Sequence, residues 1–218
     1  MTATPGLRNV TMTVDGVSVN DTGMDDQSFA FSHGPAFFIL SGNVDIREVA
    51  AGAVDPAGTE VRFTEVGAVV RDTTTDATGA FSFLVETSMS GKLDLVRDFD
   101  PAPSRADKAL NIADVQAPFR IVAGVPGLFA QGDDWIAGDV NQNGATNIAD
   151  VQALFLHVAW VPGTPPPEYV FVDAADDLSG TISSSVPLPI ANFDVAPMVG
   201  DMDMSFLGIL GGDLNGQI

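Results

Sequence analysis

The chain contains no cysteine. That absence excludes a disulfide framework, a thiolate zinc site and thiol catalysis. Stability must come from a packed core, from bound ions or from assembly. Positive charge is almost as scarce. The 9 Lys+Arg stand against 29 Asp+Glu, for a formal net charge of −20. Nucleic acid and anionic membrane surfaces both require basic patches, so neither is expected as a partner. No apolar run approaches the ~20 residues needed to cross a bilayer, so membrane insertion is not expected. The opening MTATPGLRNV lacks the basic-then-apolar pattern of a secretory signal. With only two lysines and abundant Thr, Asp, Asn, Gly and Val, the chain nevertheless reads as extracellular or cell-surface. It is expected to be a mature protein or a segment of a longer one. GxSxG, HExxH, P-loop and dinucleotide fingerprints are missing, and histidine is limited to His33 and His157. An enzyme is therefore not expected. A glycosidase working with two carboxylates is the one class that composition leaves open.

What is present is enough for a real core: 45% of the 218 residues are hydrophobic. The acid is lopsided, with 24 Asp and 5 Glu. Aspartate favours caps, turns and oxygen-ligand loops, whereas glutamate favours helix interiors. The excess acid thus reads as local and structural, with a solvated halophile-type surface as the alternative.

Three regions differ in pattern. Residues 1–97 carry short alternating segments: VTMTVDGVSV, QSFAFS, PAFFILSGNV, TEVRFTEV, AVVRD, AFSFLVE and KLDLVRD. Turn signals such as DPAG and TTTDATGA separate them, and the spacing predicts a β-sandwich. Phe81 and Phe83 are expected on one inward face. Whether 1–37 is a separate strand segment stays open. Residues 98–163 change to helical periodicity and contain a duplication. NIADVQAPFRIVAGVPG (111–127) returns as NIADVQALFLHVAWVPG (147–163), 36 residues later, with NIADVQA unchanged. Each copy opens with an Asn N-cap and an Asp three residues on, a shortened capping box. Ile112, Val115, Phe119 and Val122 fall at helical spacing, as do Ile148, Val151, Phe155 and Val158. Pro118 should bend the first helix. Residues 164–218 read as an irregular extension holding one strand, YVFVD, among acidic loops.

The stretch before the second copy, DVNQNGATNIAD, carries the chemistry. Calcium takes roughly 6–8 oxygens, and a twelve-residue loop supplies them from positions 1, 3, 5, 7, 9 and 12 with glycine at 6. Those positions are Asp139, Asn141, Asn143, Ala145, Asn147 and Asp150, with Gly144 at position 6. Position 7 needs only a main-chain carbonyl. Thr146 at position 8 departs from the usual apolar residue. The alternative is an Asn-rich turn opening a capped helix without an ion. The first copy is less regular. Asp107, Ala109, Asn111 and Asp114 match positions 5, 7, 9 and 12, but Lys108 replaces the glycine. Asp98 and Asp100 fit positions 1 and 3 only if PAPSRA bulges out. One or two calcium ions are expected. A weaker third candidate at 173–182 carries Asp177, Ser179 and Gly180 but has Val186 at position 12.

The duplicated loop–helix unit over 98–160 resembles a dockerin. The strands before it resemble a carboxypeptidase-regulatory-like or related immunoglobulin-like β-sandwich of extracellular bacterial multidomain proteins. The resemblance implies a mainly β fold with a small α part: an immunoglobulin-like sandwich plus a dockerin-like pair of calcium loop–helix repeats. It implies a non-catalytic module. Two functions follow as expectations. One is a calcium-rigidified subunit or spacer of a cell-surface protein or filament, its partner being copies of itself. The other is docking onto a cohesin-like domain through Ile112, Ala113, Ile148 and Ala149. For Ile112 and Ile148 the simpler expectation is packing against the sandwich or each other.

Overall fold

The computed structural model describes residues 10–14, 17–21, 36–47, 56–67, 70–99, 110–125, 132–190 and 192–214. It divides into two compact units, Met1–Gly34 and Pro35–Ile218. In the first unit, β1 (Val10–Val14) and β2 (Val17–Asp21) pair antiparallel, with Val14 opposite Val17 and Met12 opposite Val19. The expected strand QSFAFS lies outside the described residues.

The second unit contains eight strands and three helices among its described residues. Its first five strands are β3 (Phe37–Arg47), β4 (Glu60–Glu65), β5 (Val70–Thr74), β6 (Ala80–Glu86) and β7 (Gly91–Val96). Then come α1 (Ile112–Val122), α2 (Gly132–Gly138) and α3 (Ile148–Val158). Three more strands follow: β8 (Tyr169–Asp173), β9 (Phe193–Val195) and β10 (Met202–Leu210). They form two four-stranded sheets, ordered β6-β3-β10-β8 and β5-β4-β7-β9. The chain is thus mainly β with a small helical part.

Side-chain alternation builds the core between the sheets. Leu40, Val44 and Ile46 of β3, Phe81, Phe83 and Val85 of β6, and Phe206 of β10 point in from one side. Val61 and Phe63 of β4, Leu93 and Leu95 of β7, and Phe193 and Val195 of β9 meet them from the other. The Phe193 and Phe206 rings sit 4.6 Å apart between centroids, and Phe81 stands 6.1 Å from Phe83. Each such buried side chain contributes roughly 1.5–3 kcal/mol. The inward placement of Phe81 and Phe83 follows the sequence expectation.

The last fifty residues behave differently from the extension expected of them. They supply β8 and β10 to one sheet and β9 to the other. β10 lies between β3, which it pairs in parallel from Met202↔Leu40 to Ile209↔Arg47, and β8, which it pairs antiparallel. Both faces of β8 and of the second half of β10 are covered. Phe171 and Phe206 face the core between the sheets, while Val170, Val172 and Ile209 pack against Ala117 of α1 and Ile136 and Ala137 of α2. The helices therefore form a third layer on β8 and β10. Strands buried on both sides read as continuous apolar runs rather than alternation, which is what YVFV and FLGIL are.

Between α1 and α3 lies a smaller cluster of Leu110, Val115, Val151, Leu154 and Leu210. α1 continues through Pro118 without interruption. Ile112 and Ile148 do not pack as expected: they are 54% and 58% exposed. Val115 and Val151 carry the contact instead, three residues further along each helix.

One ion-pair group fastens the helical layer to the first sheet. Arg47, at the end of β3, has a side chain only 7% exposed. Its Nε lies 3.2 Å from Asp133 and its Nη2 bonds Asp134, both on α2. Removing one partner of a buried pair leaves a charge with no compensation, a cost of about 3–5 kcal/mol. Arg47→Met is expected to lower unfolding free energy by that order in urea titration. A second test uses His157 on α3, whose ring packs 6.0 Å from that of Phe99. Burial lowers its pKa from 6.5. The stability tied to its neutral form is present above that value and is lost as pH falls through the lowered one. Melts from pH 7.5 to 5 should therefore fall more for the wild type than for His157→Phe.

Candidate metal centre

The loop 139–150 is built from both ends by two carboxylates. α2 ends at Gly138, and the Asp139 amide still bonds back to the Trp135 carbonyl at 3.1 Å. Asp139 then folds over the loop. Its Oδ1 accepts the Asn143 amide at 3.0 Å and its Oδ2 the Gly144 amide at 2.8 Å. From the far end, Asp150 Oδ1 accepts the Asn141 amide at 3.1 Å and Oδ2 the Asn147 amide at 2.8 Å. Asp139 is 3% exposed and Asp150 fully buried. Gly144 turns the chain at φ +87°, a conformation that costs an L-residue side-chain strain.

The Asn residues divide their work. Asn143 Oδ1 accepts the Ala145 amide at 3.1 Å. Asn147 is the N-cap of α3: its Oδ1 accepts the Ala149 amide at 2.9 Å, and its Nδ2 donates to the Ala145 carbonyl at 2.9 Å. With Asp150 bonding back to the Asn147 amide, the capping box read from the sequence is complete. Asn147 is thereby a cap first, and a contribution at position 9 would run through water, as it often does in such loops.

The loop is also fastened from outside. The Thr146 amide donates to the Ser183 carbonyl at 2.7 Å, and the Val186 amide to the Gly144 carbonyl at 3.0 Å. The Thr146 hydroxyl donates to the Trp135 carbonyl at 2.7 Å. This accounts for threonine at position 8, where the sequence pattern expected an apolar residue. The partnership with 182–186 had no signal in the sequence.

An ionised carboxylate offers about four acceptor positions, and Asp139 and Asp150 each use two on main-chain amides. Burial raises the pKa of Asp150, and the neighbouring charge of Asp139 adds to the rise, against the two amide bonds that lower it. Two buried carboxylates, in a loop also carrying Asn141, Asn143 and the Ala145 carbonyl, fit a hard divalent cation with oxygen ligands. That cation would supply the positive charge the carboxylates need.

The first copy retains only its second half among the described residues. Asn111 caps α1, accepting the Ala113 amide at 2.8 Å, and Asp114 Oδ2 accepts the Asn111 amide at 2.7 Å. Asp114 Oδ1 accepts the Leu214 amide at 3.2 Å. Asp100, Asp107 and Ala109 lie outside the described residues. Asp98 is exposed just after β7, in a shallow hollow with Ala57, Gly58 and Glu60. In the third candidate, Asp173 accepts the Ala175 amide at 2.8 Å and Asp177 the Ser179 amide at 3.0 Å. Bonds from Ser179 lower the pKa of the exposed Asp177, so this carboxylate is satisfied as a turn residue. Among the described residues no three carboxylate or imidazole groups converge. The donor set of 139–150 is two carboxylates with amide and main-chain oxygens.

Gly144→Ala forces the left-handed turn on a residue with a Cβ. It should cost about 1–2 kcal/mol in urea unfolding, with the loss concentrated in the loop and the first turn of α3 by hydrogen exchange. Compared with known proteins, the chain matches no family model, no curated protein and no solved structure.

Proposed function

We propose that the chain is a non-catalytic, calcium-rigidified subunit or spacer of an extracellular or cell-surface assembly. The observation that carries this reading is the pair Asp139 and Asp150: both are buried, both accept main-chain amides from opposite ends of one loop, and Asp150 is pushed toward protonation. Asp139, Asn141, Asn143, Ala145 and Asp150 would hold the cation, with Asn147 capping α3. A loop with two carboxylates binds calcium modestly, and calcium outside cells reaches levels that fill modest sites. The dockerin-like duplication and the immunoglobulin-like reading of the two packed sheets support the same placement. So does the anchoring of the loop: it bonds to 182–186 and follows an α2 that is ion-paired to β3. A cation there would stiffen the contact between helices and sheet. Of the other acids near the helices, Asp114 serves the cap of α1, Asp173 and Asp177 hold turns, and Asp133 and Asp134 pair with Arg47, which supports a structural role.

A second reading has its own observation. Ile112 and Phe119 on α1 are 54% and 51% exposed, and their copies Ile148 and Phe155 on α3 are 58% and 50% exposed. Two matched apolar pairs on duplicated helices suit docking onto a cohesin-like partner.

Thermal melts in calcium and in chelator, with light scattering in both, test the first reading. Calcium at ~100 times its dissociation constant stabilises by about 2.7 kcal/mol, which for a chain of this size raises Tm by roughly 5–10 °C. Asp150→Ala should abolish the response. An unchanged Tm in chelator would remove the calcium reading. Growth in particle mass with calcium supports self-assembly. A calcium-dependent heat of binding to a cohesin-like domain, lost in Ile148→Asp, supports docking instead.

A further inference from the structure

We propose that Asn143–Gly144 is a latent deamidation site, restrained by Asp139, whose conversion gives the loop 139–150 a third carboxylate. In this reaction the amide nitrogen of the following residue loses its proton and attacks the asparagine Cγ. Nδ2 leaves as ammonia, and water then opens the cyclic imide to aspartate or isoaspartate. Water is the only co-reactant. Glycine after the asparagine favours the attack, because no Cβ shields the nitrogen and the backbone bends freely. Asn143 and Asn215 are the two asparagines followed by glycine, and Asn143 is the one among the described residues. Its side chain is exposed, so water reaches it. Asn111 and Asn147 precede isoleucine instead, whose branched side chain covers the nitrogen.

The loop's own bonds act on both reacting groups, in opposite directions. The Ala145 amide donates to Asn143 Oδ1 at 3.1 Å, where negative charge collects as the nitrogen attacks, so the carbon is polarised. The nucleophile is held back. The Gly144 amide donates its proton to Asp139 Oδ2 at 2.8 Å, and a carboxylate beside that nitrogen disfavours the charge left when the proton departs. The Asn143 amide bonds Asp139 Oδ1 at 3.0 Å, and the Gly144 carbonyl accepts the Val186 amide at 3.0 Å. The peptide unit between the two residues is thus pinned on both sides and cannot turn its nitrogen onto Cγ. Asp139 is the common restraint, through charge and through two bonds. Conversion adds a negative charge at loop position 5, beside Asp139 and Asp150. Without a cation that charge adds to the repulsion in the loop. With one, it raises the ligand charge, so the aspartate product binds calcium more tightly. This last consequence rests on the calcium reading; the restrained site does not.

Peptide mapping by mass spectrometry on the full chain, aged in chelator at mildly alkaline pH, tests the site. Asn143 should convert at least tenfold more slowly in the folded wild type than in urea, where the restraint is gone. Asp139→Ala should convert at least fivefold faster than the folded wild type, with Asn147 unchanged. A folded rate within about twofold of the urea rate overturns the restraint, and no conversion in urea overturns the site. A rate in Asp139→Ala that is unchanged or lower also overturns it, the lower rate making Asp139 a base for the reaction. Should Asp139→Ala not fold, Asp139→Asn, which keeps the size and removes the charge, is read against the same outcomes. Calorimetry then compares the wild type with Asn143→Asp, which stands for the aspartate product and should bind calcium about tenfold more tightly. Binding by the wild type that is no weaker than by Asn143→Asp overturns the gain in affinity. No binding by either removes the calcium reading and leaves the restrained site to the ageing experiment.

Discussion

The parallel pairing of β10 with β3 is the constraint on which the second unit depends. Parallel neighbours cannot be joined by a tight turn; the chain must leave the sheet, cross over and return. Here the crossover between Arg47 and Met202 contains most of the molecule, including all three helices. β10 enters the middle of the first sheet, with β8 on its other side. The sheet therefore cannot close until the helical repeats have been laid down, and those repeats cannot bury Ala117, Ile136 and Ala137 without Val170, Val172 and Ile209. Sheet and repeats share one folding unit, as the single compact body from Pro35 to Ile218 indicates.

Legibility in the sequence followed the range of the signal. The capping boxes at Asn111 and Asn147 span four residues and were readable. So was the inward pairing of Phe81 with Phe83, because strand alternation is local. The loop 139–150 was readable because its glycine and aspartates sit at fixed offsets. β9 and β10 were not, and β8, read as the strand YVFVD, gave no sign of the sheet it joins. β9 has three residues, and the apolar runs of β8 and β10 reflect burial on two faces, which hides the period of two. Ile112 and Phe119 show the opposite error. Their spacing matches a core stripe, yet Val115 and Ala117 make the contact, and only the tertiary packing distinguishes the two faces. The bond from Leu214 to Asp114 spans 100 residues, and no local pattern announces such a pairing.

The acidic composition takes on meaning once the carboxylates are placed. Asp76 accepts from the Thr78 hydroxyl and from the Thr78 and Ala80 amides, and its pKa falls. Asp177 behaves likewise at its turn. Both are turn residues held by local donors, as an aspartate-rich, glutamate-poor chain suggests. Arg47, one of few cations, is committed to Asp133 and Asp134 beneath the helical layer. Asp150 departs from the pattern. It too accepts two amides, but burial and the charge of Asp139 outweigh them and raise its pKa. The same hydrogen-bonding device has opposite electrostatic outcomes at an exposed turn and in the loop.

That difference determines where a cation would act. An ion held by an exposed acidic turn changes little, because water already solvates the charge. An ion between buried carboxylates cancels a repulsion that the fold otherwise carries. In 139–150 the relief would be felt at three attachments: α3 through the Asn147–Asp150 cap, α2 through the Thr146 hydroxyl on Trp135, and 182–186 through the Ser183 and Val186 bonds. Val186 belongs to the cluster under β8 and β10. A charge neutralised in the loop is therefore two contacts from the strand that closes the first sheet, which makes this loop a joint of the fold as well as a place for an ion.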